Sequence, residues 1–191
     1  VMRVPQRIAI SGSSGLIGTA LVGHLKSEGH TVQRLVRRAP VASDEVQWDP
    51  QTGFVDLAPL AGVDAIIHLA GVGVGDKRWT KKFKSEILNS RLLGTTTIAK
   101  AVAELKPAVF ISASAIGWYG ESGNRAVVET DRVGDDFLAA VCREWESAAD
   151  LAGDVRTVKI RTGLVLDPTG GALGKMLPLF RLGFGGKLGS G

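Results

Sequence analysis

Cysteine is nearly absent. Cys142 stands alone in 191 residues, so no internal disulfide can form, and the chain suits a reducing, cytoplasmic setting. Histidine is scarce as well. His24, His30 and His68 show no metal-ligand spacing with one another or with Cys142, and no metal site is expected. No apolar run approaches the roughly 20 residues of a membrane-spanning helix. No charged segment followed by an apolar one reads as a secretory leader, so no membrane association is expected. Basic residues exceed acidic ones only modestly, 23 against 19, and the basic run Lys77, Arg78, Lys81, Lys82 and Lys84 reads as a solvated helix start. Nucleic acid is therefore not an expected partner, whereas an anionic cofactor or a small-molecule substrate is. Tyrosine is limited to Tyr119, which confines any phenol chemistry to one position.

Glycine is the opposite case, and its placement organises the chain. The stretch Arg7-Ile8-Ala9-Ile10-Ser11-Gly12-Ser13-Ser14-Gly15-Leu16-Ile17-Gly18 reads as a β-branched strand, a tight turn and the start of a helix. Free N–H groups and the macrodipole at such a helix start attract phosphate. Gly12 permits the turn, Gly15 lets a pyrophosphate approach the backbone, and Gly18 lets the helix lie close to the sheet. A glycine triplet alone is a weak signal; one that follows a strand and opens a helix is much stronger. Gly12, Ser14, Gly15, Leu16, Ile17 and Gly18 are thus candidate dinucleotide contacts.

The pattern then alternates. The first helix is expected over Leu16–Ser27, ending at Gly29, and a second strand over Thr31–Val36. A short strand fits Val46–Trp48, with Asp49-Pro50 shaping a turn on the adenine side. Ala65–Leu69 is an apolar run broken only by His68, which suits a parallel strand covered on both faces. A long helix fits Lys81–Leu105, a strand Val109–Ser112, and a loop Gly120–Asp131. Asp135 or Asp136 caps a helix carrying Phe137, Leu138, Val141, Trp145 and Ala149, and Val155–Ile160 reads as a strand. This order predicts an α/β fold, a Rossmann-type doubly wound parallel sheet with right-handed crossovers. Residues 1–6 read as a lead-in and 7–167 as the nucleotide-binding domain. The glycine-broken segment 168–191 is expected to begin a C-terminal substrate region that continues in a longer chain.

The end of strand two selects the nucleotide. An NAD site usually carries Asp or Glu there, accepting from the ribose 2′-OH. Here the sequence is Leu35-Val36-Arg37-Arg38, with two guanidiniums and no carboxylate. A guanidinium pairs with a 2′-phosphate that a carboxylate would repel. NADP(H) is the expected cofactor, with Arg37 as first contact and Arg38 as second. Leu69 and Ala70, at the carboxyl end of their strand, are expected to line it through backbone.

His68-Leu69-Ala70-Gly71, Ser112-Ala113-Ser114-Ala115 and the glycine motif together resemble the extended short-chain dehydrogenases/reductases. Trp48-Asp49-Pro50, Ser90-Arg91, Ser114 to Gly120, Gly134 to Leu138, Trp145-Glu146, Arg161 to Leu166 and Gly170 to Leu173 narrow the resemblance. They point to an atypical epimerase-family subgroup sometimes labelled cell-division-inhibitor-like. The resemblance covers nearly the whole chain from Arg7. It implies an NADPH site with an arginine at strand two and places Glu86, Arg91 and Leu164 near the cofactor. It also implies a candidate homodimer in which the long helix and the Asp136–Asp150 helix pair across a two-fold axis.

Hydride transfer in this superfamily normally uses Ser, Tyr and Lys, the lysine making the tyrosine a better base. Ser114 matches the serine, and Ser112 shares its strand face. The expected Tyr-x-x-x-Lys segment reads Phe137-Leu138-Ala139-Ala140-Val141-Cys142-Arg143, with neither residue present. Tyr119 is the remaining phenol, a poor base unless a cation stands beside it. Two functions stay open. One is an NADP(H)-dependent oxidoreductase or epimerase-like enzyme acting on a small carbonyl or nucleotide-sugar-like substrate, with Ser114 and Tyr119 as catalytic candidates. The other is a catalytically silent NADPH-binding sensor or scaffold. Trp79 and Trp118 are candidate pocket walls.

Overall fold

The computed structural model describes residues 4–186 of the chain. β1 (Arg7–Ser11) leads into α1 (Leu16–Ser27), and β2 (Thr31–Val36) returns beside β1. β3 (Glu45–Asp49) and the two-residue β4 (Phe54–Val55) form an antiparallel hairpin at one edge. β5 (Ala65–His68), α2 (Lys81–Leu105), β6 (Val109–Ala115), α3 (Phe137–Ala149) and β7 (Thr157–Thr162) complete the main layer. The sheet order is β4-β3-β2-β1-β5-β6-β7. Leaving the β4 edge aside, this is the order of a dinucleotide-binding sheet, which reverses direction between β1 and the strand that follows the first βαβ half. The pairs β1–β2, β1–β5, β2–β3 and β5–β6 are all parallel. Their carboxyl ends therefore share one edge, and the switch point lies between β1 and β5.

The period-2 alternation of each strand divides the core into two layers. Ile8, Ile10, Val32, Ala65 and Ile67 pack with Leu21, Val22 and Leu25 of α1. Ala9, Leu35, Val46, Ile66 and Phe110 face the opposite side, where Ile98, Ala99 and Val102 of α2 and Ala149 of α3 cover them. α2 and α3 have side-chain caps: Thr80 accepts from the Phe83 N–H at 3.2 Å, and Asp136 accepts from the Ala139 N–H at 2.8 Å. Asp136, rather than Asp135, is the cap.

β7 begins at Thr157 and runs to Thr162, two residues later than the apolar pattern suggests. β4 carries no sequence signal, because two residues are too few to show alternation. Contacts divide the chain into two compact units, Val1–Arg161 and Thr162–Gly191. In the second, β8 (Leu166–Asp167) pairs with Gly170 and Gly171 and leads into α4 (Gly171–Arg181). Of the lead-in and the tail, residues 1–3 and 187–191 lie outside the described residues.

His68 is the one fully buried imidazole, bonded through Nδ1 to the Ser11 hydroxyl at 2.6 Å and set edge-on to Trp48. Its Nε2 has no partner among the described residues. Burial lowers its pKa from 6.5 to about 3, so the ring is neutral in the fold. Between those values the unfolded chain binds a proton that the fold refuses, so stability falls as pH drops below 6.5. The loss approaches about 1.4 kcal/mol per pH unit. Urea midpoints taken from pH 6.5 down to 5 are expected to fall more steeply in the native protein than in His68→Gln. Equal slopes would show that His68 contributes nothing to acid sensitivity.

Candidate functional site

A cleft of about 1000 Å³ opens at the carboxyl edge, over the β1–β5 switch point. Gly12, Ser13, Ser14 and Gly15 form one wall, the segment Leu35–Arg38 another, and Leu69 to Gly73 with Glu86 and Ser90 a third. The glycine turn is built by close approach. Gly12 has φ +69°, and a Cβ there would lie 2.8 Å from the Ala70 nitrogen. The Gly15 N–H donates to the Gly12 carbonyl at 3.0 Å, and the first helical bond of α1 runs from Thr19 N–H to the Gly15 carbonyl at 2.8 Å. The N–H groups of Leu16, Ile17 and Gly18 are thus first-turn donors without helical acceptors. Unlike α2 and α3, α1 has no side-chain cap, and no acidic residue stands in its first turn. A positive helix end with unclaimed donors beside a cleft suits a phosphate group. Leu16, Ile17 and Gly18 stand behind the lining residues rather than among them.

The two arginines after β2 are not equivalent. Arg38 is clamped bidentately by Glu45 of β3, at 2.8 and 2.6 Å. Glu45 also accepts from the Val41 N–H at 2.9 Å and is held below the usual carboxylate range, at about 2, first by the Arg38 bonds and then by that N–H. Arg34 reaches Asp44 at 2.6 Å, which with Lys26 pushes the Asp44 carboxyl well down. Arg37 lines the same cleft and makes no side-chain hydrogen bond or ion pair among the described residues. One guanidinium braces the 38–45 loop; its neighbour is uncommitted. Asp49 holds the turn beyond β3, accepting from the Gln51 N–H at 2.9 Å and the Thr52 hydroxyl at 3.0 Å, and Pro50 and Gln51 border the cleft.

Glu86 lines the cleft and is paired with Lys77 at 3.1 Å. Arg91 does not line it. Its guanidinium lies beneath the loop, donating to the Val72 carbonyl at 2.9 Å and the Ile87 carbonyl at 3.2 Å, over the Trp145 ring. Burial lowers its pKa. Arg91 thus shapes the cleft wall from behind. Leu164 belongs to the second unit and is 72% exposed.

Beyond β6 lies a second polar cluster, outside the cleft lining. The buried Ser114 hydroxyl donates to Glu146 of α3 at 2.6 Å. Glu146, also buried, accepts from Arg161 of β7 through both oxygens, at 2.8 and 3.0 Å. Arg161 in turn donates to the Tyr119 hydroxyl at 3.1 Å and to the Glu129 carbonyl at 2.9 Å. Its guanidinium is 3.9 Å from the Trp118 ring centre, and the Glu146 bonds raise its pKa further above the ordinary arginine value. The candidates Ser114 and Tyr119, five residues apart, are joined through Glu146 and Arg161, two residues distant in sequence that carry no role in the sequence reading. A signal was available for one of them. Glu146 is four residues beyond Cys142, on the apolar face of α3, where a charge needs a partner. Trp118 packs against Arg161, and Trp79 bonds to the Val74 carbonyl and abuts Phe137, so neither tryptophan walls the cleft. Among the described residues, no cluster of His, Cys, Asp and Glu is arranged to hold a metal. No described helix is long and apolar enough to cross a membrane.

The family model described as the NAD dependent epimerase/dehydratase family matches residues 8–136. The chain belongs to this family. An epimerase family protein of Mycobacterium bovis is 46% identical over 186 residues, covering 96% of this chain and 62% of that protein. The crystal structure of human epimerase family protein SDR39U1 with NADPH is similar at TM-score 0.84 and 36% identity, over 97% of this chain and 63% of that one. A nucleoside-diphosphate sugar epimerase from Corynebacterium glutamicum is similar at TM-score 0.82 and 41% identity, over 98% of this chain and 39% of that one. The chain therefore spans less than two thirds of the length of these relatives. Family membership accounts for the sheet order and the glycine turn. The departure on α3, where the segment Phe137–Arg143 holds neither tyrosine nor lysine, marks the chain as an atypical member.

Proposed function

We propose that this chain binds NADP(H) across the β1–β5 switch point, and that Arg37 reads the 2′-phosphate. The observation that carries the proposal is the uncommitted Arg37 guanidinium in a cleft whose other strand-two arginine is clamped by Glu45. The uncapped start of α1 suits the pyrophosphate, and Leu69 and Ala70 offer backbone to the nicotinamide half. The residues fit the group: a Cβ at Gly12 or Gly18 would meet backbone, so the turn is open only as glycine. The NADPH bound to the human relative supports the same reading. The nucleotide domain corresponds to residues 7–167, and residues 168–191 begin a substrate-covering region.

In the full-length protein the reaction is hydride transfer involving a small carbonyl or nucleotide-sugar-like substrate. When bound, the nicotinamide supplies or accepts the hydride. Ser114 and Tyr119 contact the substrate oxygen and hold its proton. A second reading, a nucleotide-binding sensor or scaffold without turnover, draws on the absent Tyr-x-x-x-Lys pair. Turnover of NADPH by the full-length protein across a carbonyl panel separates the two: binding without turnover selects the second.

Arg37→Ala is expected to weaken NADPH binding about 10- to 100-fold, the loss of one or two charge-assisted bonds. NADH binding should stay unchanged. Arg38→Ala should weaken NADPH much less, because that side chain is spent on Glu45. Calorimetric titration of both variants checks this; equal losses would overturn the division of labour.

A further inference from the structure

The cluster behind β6 fixes the direction of its hydrogen bonds. An ionised carboxylate only accepts, and a guanidinium only donates. With Glu146 at 2.6 Å, the Ser114 proton is committed to Glu146, and the serine oxygen has only lone pairs left to offer. With Arg161 donating at 3.1 Å, the Tyr119 oxygen is an acceptor, and its own proton is left over. Among the described residues, the Tyr119 hydroxyl donates to no protein group. The chain Ser114 → Glu146 ← Arg161 → Tyr119 therefore has one outward proton, on Tyr119.

We propose that Tyr119 is the proton donor to the substrate oxygen, that Ser114, its own proton committed to Glu146, accepts from the product hydroxyl once that proton has moved, and that Glu146 and Arg161 are the positioning residues that set this polarity. The inference deepens the hydride-transfer reading and rests on it. In the reductive direction the hydride comes from the bound dinucleotide. The Tyr119 O–H bond breaks, the same proton forms the O–H bond of the product alcohol, and the phenolate left behind is held by Arg161. Solvent restores the proton. The cation that normally accompanies the tyrosine in this superfamily comes from a lysine four residues later on the same helix. Here it comes from β7, 42 residues beyond Tyr119. Arg161 is suited to hold a charge in place. Its Nε and Nη2 are fixed on Glu146, its Nη1 bridges Tyr119 and the Glu129 carbonyl, and its plane lies over Trp118.

The test uses the full-length protein and two readouts. The first is the tyrosine Fermi doublet in ultraviolet resonance Raman spectra, isolated by subtracting Tyr119→Phe. It reports whether the phenol oxygen accepts or donates and needs no substrate. The native doublet should show an acceptor. Arg161→Met should shift it away from the acceptor pattern, and Arg161→Lys should retain part of it. The second readout is kcat with the best carbonyl substrate. Tyr119→Phe and Arg161→Met should each lose about 100-fold or more, the scale of a general acid. KM should change little, and Arg161→Lys should recover part of kcat. An unmoved doublet in Arg161→Met, or a Tyr119→Phe enzyme with native kcat, overturns the proposal. Absence of native turnover overturns the hydride reading and the donor role together. In that event the Raman shift still decides whether Arg161 sets the polarity of Tyr119.

Discussion

Gly18→Ala is expected to abolish tight dinucleotide binding and to destabilise the fold by about 1–3 kcal/mol, the range for overpacking a close contact. A Cβ at Gly18 would collide with the Gly12 carbonyl oxygen and stand 2.8 Å from the Ser13 Cα. Both are backbone atoms, so no rotamer change relieves the clash. Gly12 cannot yield either, being pressed against Leu69 and Ala70 on its other side. Relief requires α1 to lift away from the turn, which separates the first-turn N–H groups from the cleft they serve. Gly23, in the same helix, is exposed and has no atom within 4 Å of a built Cβ. Gly23→Ala should therefore stabilise by about 0.5–1 kcal/mol and leave binding intact. Urea denaturation and NADPH titration of the two variants check the contrast. Tight binding by Gly18→Ala would show that the turn does not hold the pyrophosphate.

Glu146→Ala carries the largest expected loss of stability, about 3–5 kcal/mol. Glu146 is buried and Arg161 nearly so, with side-chain exposures of 7% and 16%. Removing the carboxylate leaves a guanidinium out of water with no counter-charge, and it strands the Ser114 hydroxyl as well. Removing both charges is a different experiment. Glu146→Leu with Arg161→Met should recover much of the loss, because the double variant leaves no ion unpaired. Denaturation midpoints of the single and double variants measure this. A Glu146→Ala loss below about 1 kcal/mol would place the pair among ordinary surface bridges.

The sequence carries the architecture in its periodicities. Ile8 and Ile10 against Ala9, and Ala65 and Ile67 against Ile66, alternate between two helical layers, and each parity is readable from residue types alone. The glycine turn is equally readable, since its spacing reflects a backbone contact within seven residues. What escaped depends on distant partners. Arg37 and Arg38 are identical in type, and only Glu45, brought alongside by the β2–β3 pairing, makes one a brace and leaves the other uncommitted. Arg91 is helical and charged, yet the Val72 carbonyl draws it under the loop. The cation for Tyr119 comes from β7, a strand whose local pattern ends in an unremarkable arginine. Chemistry confined to one motif is legible, and chemistry assembled across elements is not.

The central claim is that the cleft selects a 2′-phosphorylated dinucleotide. Its most direct test is the affinity of the intact, unmodified protein for NADPH and for NADH, measured side by side at one salt concentration. The expected result is about a 10- to 100-fold preference for NADPH, the contribution of the charge-assisted bonds at Arg37. Equal affinities, or a preference for NADH, would contradict it.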